Sequence, residues 1–195
     1  MPRPARFAHV VLNTYDLDRL TDWYKYVFDL DITAESERAV IGTYDEEHHR
    51  FAFTQMPGEK PADIGFNPLK HIAYAYDSLD DLMAQYSHLK ARGYLPVECV
   101  NHGPTLSLYY KDPDENGVEF FVDRFKTMSE SKSFMASEPF KKNLFGYYFD
   151  PEKVLEQVAR GVPDEEVWRY DQDEADRFLE SMKSPLPIPA HSTDI

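Results

Sequence analysis

FAHVVLNTYDLDRLTDWY (residues 7–24) and LKHIAYAYDSLDDLMAQY (residues 69–86) are the stretches whose reading decides the fold. They lie over one another without a gap. The shift of 62 residues that carries His9 onto His71 also carries Leu17 onto Leu79, Asp18 onto Asp80, Leu20 onto Leu82 and Tyr24 onto Tyr86. Each stretch opens on a short apolar run that suits a buried strand. Each then passes a helix-start signal, Asp16 and Asp18 in the first copy and Ser78 with Asp81 in the second. Apolar residues at helical spacing follow: Leu20, Trp23, Tyr24, Val27 and Phe28, then Leu79, Leu82, Met83, Tyr86 and Leu89. An internal repeat of this kind takes precedence over other fold arguments.

The remainder of each copy reads as strands. In the first they fall around Ile32, from Val40 to Tyr44 and from His49 to Thr54; in the second, from Leu95 to Val100, Leu106 to Lys111 and Val118 to Phe125. Gly93 ends the second helix, and the Pro- and Gly-rich segment MPGEKPADIGFNP (56–68) links the copies. The expected fold class is α+β: two tandem βαβββ modules, 5–57 and 69–125, in one domain over 1–125. Each module has a sheet face that it cannot bury alone. The two are expected to form a curved mixed sheet around a metal cleft, with helices outside.

Residues 126–195 are expected to be a partly helical C-terminal extension, a lid or brace without chemistry. KTMSESKS (126–133) reads as a polar linker. Asp150 and Pro151 start a helix with a face of Val154, Leu155 and Val158, which Gly161 closes. One acidic helix is expected from about Pro163 to Lys183. The Pro-rich tail SPLPIPAHSTDI is expected to be extended or disordered.

Composition narrows the function. A chain of 195 residues, 42% hydrophobic, can bury a core, and a net charge of −14 repels phosphate backbones and anionic membranes alike. Nucleic acid and membrane are therefore not expected partners. The single cysteine, Cys99, rules out an intramolecular disulfide. No apolar stretch reads as a signal peptide or a membrane span, so the expected location is cytoplasmic. There is no phosphate-binding glycine loop, C-x-x-C or G-x-S-x-G.

Three metal-capable side chains stand inside apolar strands: His9, His71 and Glu119. Alone, His9 reads as an ordinary core or surface histidine. Two histidines at equivalent points of a duplicated unit weaken that reading. Glu119, in GVEFFV, alternates away from Val118, Phe120 and Val122. A carboxylate in so apolar a strand is costly unless paired or metal-bound, though an edge strand facing water would also hold it. Together the three make the two-histidine, one-carboxylate set typical of non-haem Fe(II) oxygenases.

The duplicated modules and these three residues resemble the vicinal oxygen chelate superfamily, which includes glyoxalases, resistance proteins and extradiol dioxygenases. VNHGPTLSLYYKDPDENGVE (100–119) resembles the signature of the extradiol branch: His102, Leu108, Tyr109, Asp112, Pro113 and Glu119 match it in order. The family has a small turn residue where this chain has Glu115, and Gly117 is expected to supply the turn's flexibility instead. EEHHRFAF (46–53) is similar to the family's His-His pair, although the linker from His49 to His71 is longer than in that pattern.

The resemblance covers about residues 5–125. It implies an extradiol dioxygenase of the small single-domain type, acting on an aromatic diol and O2. It implies Fe(II), with Mn(II) also accommodated, held by His9, His71 and Glu119. It assigns acid–base work to His49 and substrate hydrogen bonds to His102 and Tyr109. Relatives often form homo-oligomers, for which the C-terminal helices would supply an interface. Two rivals stand beside this reading. One is a glyoxalase- or epimerase-like metalloenzyme, which normally needs four protein ligands. The other is a metal-free binding protein, which generally loses these ligands.

Overall fold

A computed structural model describes residues 6–59 and 69–183. Most of the expected linker and the whole Pro-rich tail lie outside the described residues. The contacts divide the chain into two compact units, Met1–Ile72 with Lys111–Val118, and Ala73–Tyr110 with Glu119–Ile195.

The first unit begins with β1 (Val10–Thr14), α1 (Leu17–Phe28), β2 (Asp31–Ser36), β3 (Ala39–Thr43) and β4 (Phe51–Gln55). The strands form one sheet in the order β1-β4-β3-β2. β1 and β4 run parallel, with Val10 opposite Phe51, and the other pairs are antiparallel. α1 starts where the Asp16 side chain accepts from the Arg19 amide, and ends on Asp29 in the left-handed conformation. Its apolar face lies on β4. The Tyr24 ring stands 4.7 Å from Phe51 and 4.9 Å from Phe53, and all three are fully buried. The opposite face of β1 is open, with Phe7 and Val11 exposed on the side that His9 shares by strand parity.

The second module repeats this order: β5 (Ile72–Tyr76), α2 (Leu79–Ala91), β6 (Glu98–Asn101), β7 (Thr105–Lys111) and β8 (Gly117–Asp123). Its sheet runs β5-β8-β7-β6 and then takes in a further strand, β9. The expected common sheet is thus built as two hydrogen-bonded sheets, one per module, not closed into a barrel. Ser78 caps α2, whose Leu79, Leu82, Met83, Tyr86 and Leu89 are all buried. Phe120 of β8, fully buried, packs against Tyr74, Tyr76 and Tyr110. Even-numbered residues of β8 therefore face the core and Glu119 faces the other way.

The extension is more structured than its sequence suggests. It contains α3 (Met128–Met135), α4 (Glu138–Lys142), β9 (Tyr147–Tyr148), α5 (Pro151–Ala159), α6 (Asp164–Val167) and α7 (Gln172–Lys183). The expected polar linker is α3. Thr127 and Glu130 form a capping box, which satisfies two orphan amide donors and starts a helix without a wide apolar face. The expected single acidic helix is broken between Val167 and Gln172. The chain leaves the helix so that the Trp168 side chain can be buried and Tyr170 can pack on Phe134, 5.7 Å between ring centroids. Asp171 then accepts from the Glu174 amide and starts α7.

Candidate active site

Three histidines of the first unit, His9, His48 and His49, gather at the start of β1 and β4. Arg50 organises them. Its guanidinium grips Asp45 at 2.9–3.0 Å and donates to the carbonyls of Phe7 and Ala8 at 2.9 and 3.0 Å. The Val10 amide donates to the Arg50 carbonyl at 2.9 Å. These bonds tie the approach to β1 to the loop before β4, and so bring the His9 ring to 4.3 Å from His49. His48 and His49 share a hydrogen bond between their Nδ1 atoms at 2.5 Å. Glu47 stands 3.5 Å from His48 and is itself bound by Arg6 at 2.6 Å. Desolvation and the neighbouring His9 and His48 rings lower the His49 pKa, which favours a neutral imidazole able to accept a proton. The segment around Asp45–Glu47, which would otherwise read as a plain exposed turn, is the support of this cluster.

His71 immediately precedes β5 and is half-buried. Gly117 lies directly against it. A Cβ there would come within 2.0 Å of the Lys70 carbonyl oxygen and 2.9 Å of the His71 Cβ. Gly117 is glycine because of this close approach. Its φ is not positive, contrary to the expectation that it supplies turn flexibility. Glu115 itself adopts the left-handed conformation, at φ 70. The loop is held instead by Asp112, which is buried. Asp112 accepts from the amides of Asp114 and Asn116 and the side chain of Asn116, each at 2.9 Å, and from the Tyr24 hydroxyl at 3.2 Å. Burial raises the Asp112 pKa against these four bonds.

The second unit carries His102, Tyr109 and Glu119. His102 lies in the β6–β7 turn, Tyr109 on β7 and Glu119 on the adjacent β8. Glu119 is only 8% exposed. Its carboxylate is hydrogen-bonded by the Tyr109 hydroxyl, and burial followed by that negative charge raises the Tyr109 pKa. His102 Nε2 stands 2.8 Å from the same hydroxyl. Imidazole, phenol and carboxylate thus form a short polar chain across the turn and the two adjacent strands. Asn101, which the sequence reading passed over, borders this chain. Its only sequence signal is its place beside His102.

The expected metal ligands belong to different units, His9 and His71 to one and Glu119 to the other. Among the described residues no group of three or more His, Cys, Asp or Glu stands together as a metal-holding cluster. Their chemistry, two imidazoles and one carboxylate, fits a borderline divalent metal; the imidazoles stand just before β1 and β5 and the carboxylate within β8. Cys99 is not a competitor. It is buried, and desolvation pushes its thiol up to about 12. Among the described residues no helix is long and apolar enough to cross a membrane.

Comparison with known proteins agrees with this fold. Residues 6–120 match the model of the glyoxalase/bleomycin resistance protein/dioxygenase superfamily. The chain belongs to that superfamily. It is 38% identical to biphenyl-2,3-diol 1,2-dioxygenase 2 of Rhodococcus globerulus, over 84% of this chain and 86% of the relative. It is equally identical, 38%, to biphenyl-2,3-diol 1,2-dioxygenase 3 of the same organism, over 83% and 86% of the two chains. Among solved structures, lactoylglutathione lyase from Agrobacterium tumefaciens superposes with a TM-score of 0.51 at 17% identity. That match covers 62% of this chain and 96% of the lyase, a likeness of fold.

Proposed function

We propose that this superfamily member is an extradiol ring-cleaving dioxygenase, which inserts both atoms of O2 into a catechol-type aromatic substrate beside its two hydroxyls. The observation that carries the reading is its likeness to two biphenyl-2,3-diol dioxygenases over most of both chains. The matching chemistry of its own residues supports it. Fe(II), or Mn(II) with the same ligands, would be held by His9, His71 and Glu119. The metal would bring the diol and O2 together and couple them electronically.

The protein's residues do the rest. His49 lies against His9, 4.3 Å between ring centroids, so it is placed to do the acid–base work on the incoming diol. His102, with the Tyr109 hydroxyl 2.8 Å from its Nε2, hydrogen-bonds a substrate oxygen and fixes its orientation. Holding both reactants in one geometry is the main catalytic gain.

The test is oxygen uptake by anaerobically iron-loaded protein, with 2,3-dihydroxybiphenyl and simple catechols, beside the variant His71→Ala. One O2 consumed per diol, with a yellow ring-fission product absent from the variant, is the expected result. Protein with one iron per chain that consumes no O2 with any of these diols would refute the proposal. The same experiment separates it from an isomerase, which consumes no O2.

A further inference from the structure

The C-terminal arm reaches the turn that carries His102. β9 pairs antiparallel with β6, with Tyr147 opposite Asn101. The Asn101 side chain is 4% exposed and its amide is fully used. Its nitrogen donates to the Tyr147 hydroxyl at 3.1 Å and to the Trp168 carbonyl at 3.4 Å, both from the arm. Its oxygen accepts from the Gly103 amide at 2.8 Å, closing a tight turn across His102. The Tyr147 hydroxyl also donates to the Arg169 carbonyl at 3.1 Å and accepts from the Asp171 amide at 3.0 Å.

Packing closes the turn from two further sides. Gly146 is pressed so tightly on it that a Cβ would stand 2.0 Å from the Asn101 carbonyl oxygen and 2.7 Å from the His102 Cα. A Cβ on Gly103 would meet the Phe134 ring of α3 at 2.5 Å. Asn143, fully buried, fixes Gly146 in turn. Its oxygen accepts from the Phe145 and Gly146 amides, and its nitrogen donates to the carbonyls of Gly146 and Ala175.

We propose that Asn101 and Tyr147 are positioning residues for His102, so that the arm sets the geometry of the acid–base chain rather than only bracing the sheet. The argument rests on the role given to His102 above. With the backbone fixed on both sides, the His102 imidazole has only its own two torsions to settle, and its Nε2 falls 2.8 Å from the Tyr109 hydroxyl. Without the Asn101 amide the turn loses its closing bond and its tie to the arm together. A displacement of about 1 Å at a catalytic group is enough to cost on the order of a hundredfold in rate.

Four variants of the full-length protein test this: Asn101→Ala, Asn101→Asp, Tyr147→Phe and His102→Ala. Asparagine to aspartate keeps an oxygen for the Gly103 amide but loses both donations to the arm, because its second oxygen would face the Trp168 carbonyl and a Tyr147 hydroxyl whose proton goes to Arg169. Tyr147→Phe keeps the ring and loses the hydroxyl. Both should fall between the parent and Asn101→Ala, which should lose about ten- to a hundredfold in kcat with KM little changed. Circular dichroism confirms that each variant is folded. In metal-free protein labelled with 15N-histidine, the His102 ring should report one tautomer in the parent. Asn101→Ala should show a mixture. A folded Asn101→Ala variant with parental kcat and an unaltered His102 signal, beside an impaired His102→Ala, would overturn the inference and leave the reading of His102 intact. An unimpaired His102→Ala would overturn both.

Discussion

Gly117→Ala is the sharpest single test of how His71 is held. The added methyl would lie 2.0 Å from the Lys70 carbonyl oxygen and 2.9 Å from the His71 Cβ. Real contacts of a Cβ essentially never fall below 3.0 Å, so strand β8 and the Lys70–His71 backbone must part by at least about 1 Å. Neither partner is the flexible end of a side chain, so neither can swing away. Overpacking of this kind costs about 1–3 kcal/mol. For a chain of this size about 2 kcal/mol is a fall in Tm of about 4–8 °C. The larger effect is on metal binding. Ligand distances tolerate only about ±0.2 Å, and changes that merely reorient a ligand cost about 10–100-fold in affinity. The assay is iron affinity by competition with a chelator under anaerobic conditions, alongside thermal melting. A folded Gly117→Ala protein with parental Tm and parental iron affinity would refute both the packing argument and the assignment of His71.

Glu115→Gly should stabilise the protein. A left-handed non-glycine residue costs about 1–2 kcal/mol, and the greater freedom of glycine in the unfolded chain returns about 0.4–1 kcal/mol of that. The net gain is about 0.5–1 kcal/mol, a rise of about 1–4 °C by calorimetry; a fall in Tm would show that Glu115 is held by something its backbone does not reveal. The Asp45–Arg50 fork should make stability depend on pH in acid. The Arg50 hydrogen bond holds the Asp45 carboxyl below the ordinary range near 4, so its contribution is present above that range and is lost as the pH falls through the lower, folded value. Asp45→Asn should therefore melt below the parent at pH 6, and the gap should close as the pH is lowered towards 2. A gap that is constant over that range would mean that the ion pair contributes nothing.

The modules were legible because the repeat marks the same strand and helix twice, with caps at Asp16 and Ser78 that the structure bears out. Strand starts were less so. β1, β4 and β5 begin just after His9, His49 and His71, because the histidines sit on the approaches to the strands and not within them. α3 escaped because a capping box and one anchoring ring, Phe134, substitute for an apolar stripe. The meaning of Gly117 was out of reach for another reason. Sequence shows that a residue lacks a side chain, but not whether a turn or a neighbour forbids one. Asn101 and Arg50 each reach, besides a near neighbour, partners 46 and 42 or more residues away, and spacing along the chain carries no trace of those.

The bonds from Asn101 to Tyr147 and Trp168 span 46 and 67 residues. On a growing chain the sheet of the second module is complete in β5 to β8 well before those partners have been made. The turn that bears His102 then reaches its final form only after Tyr147 and Trp168 have been synthesised. A polypeptide released early would keep most of its core and lack its most exacting piece of geometry. Translation itself thus imposes an order in which shelter for the reactive centre comes first and reactivity last.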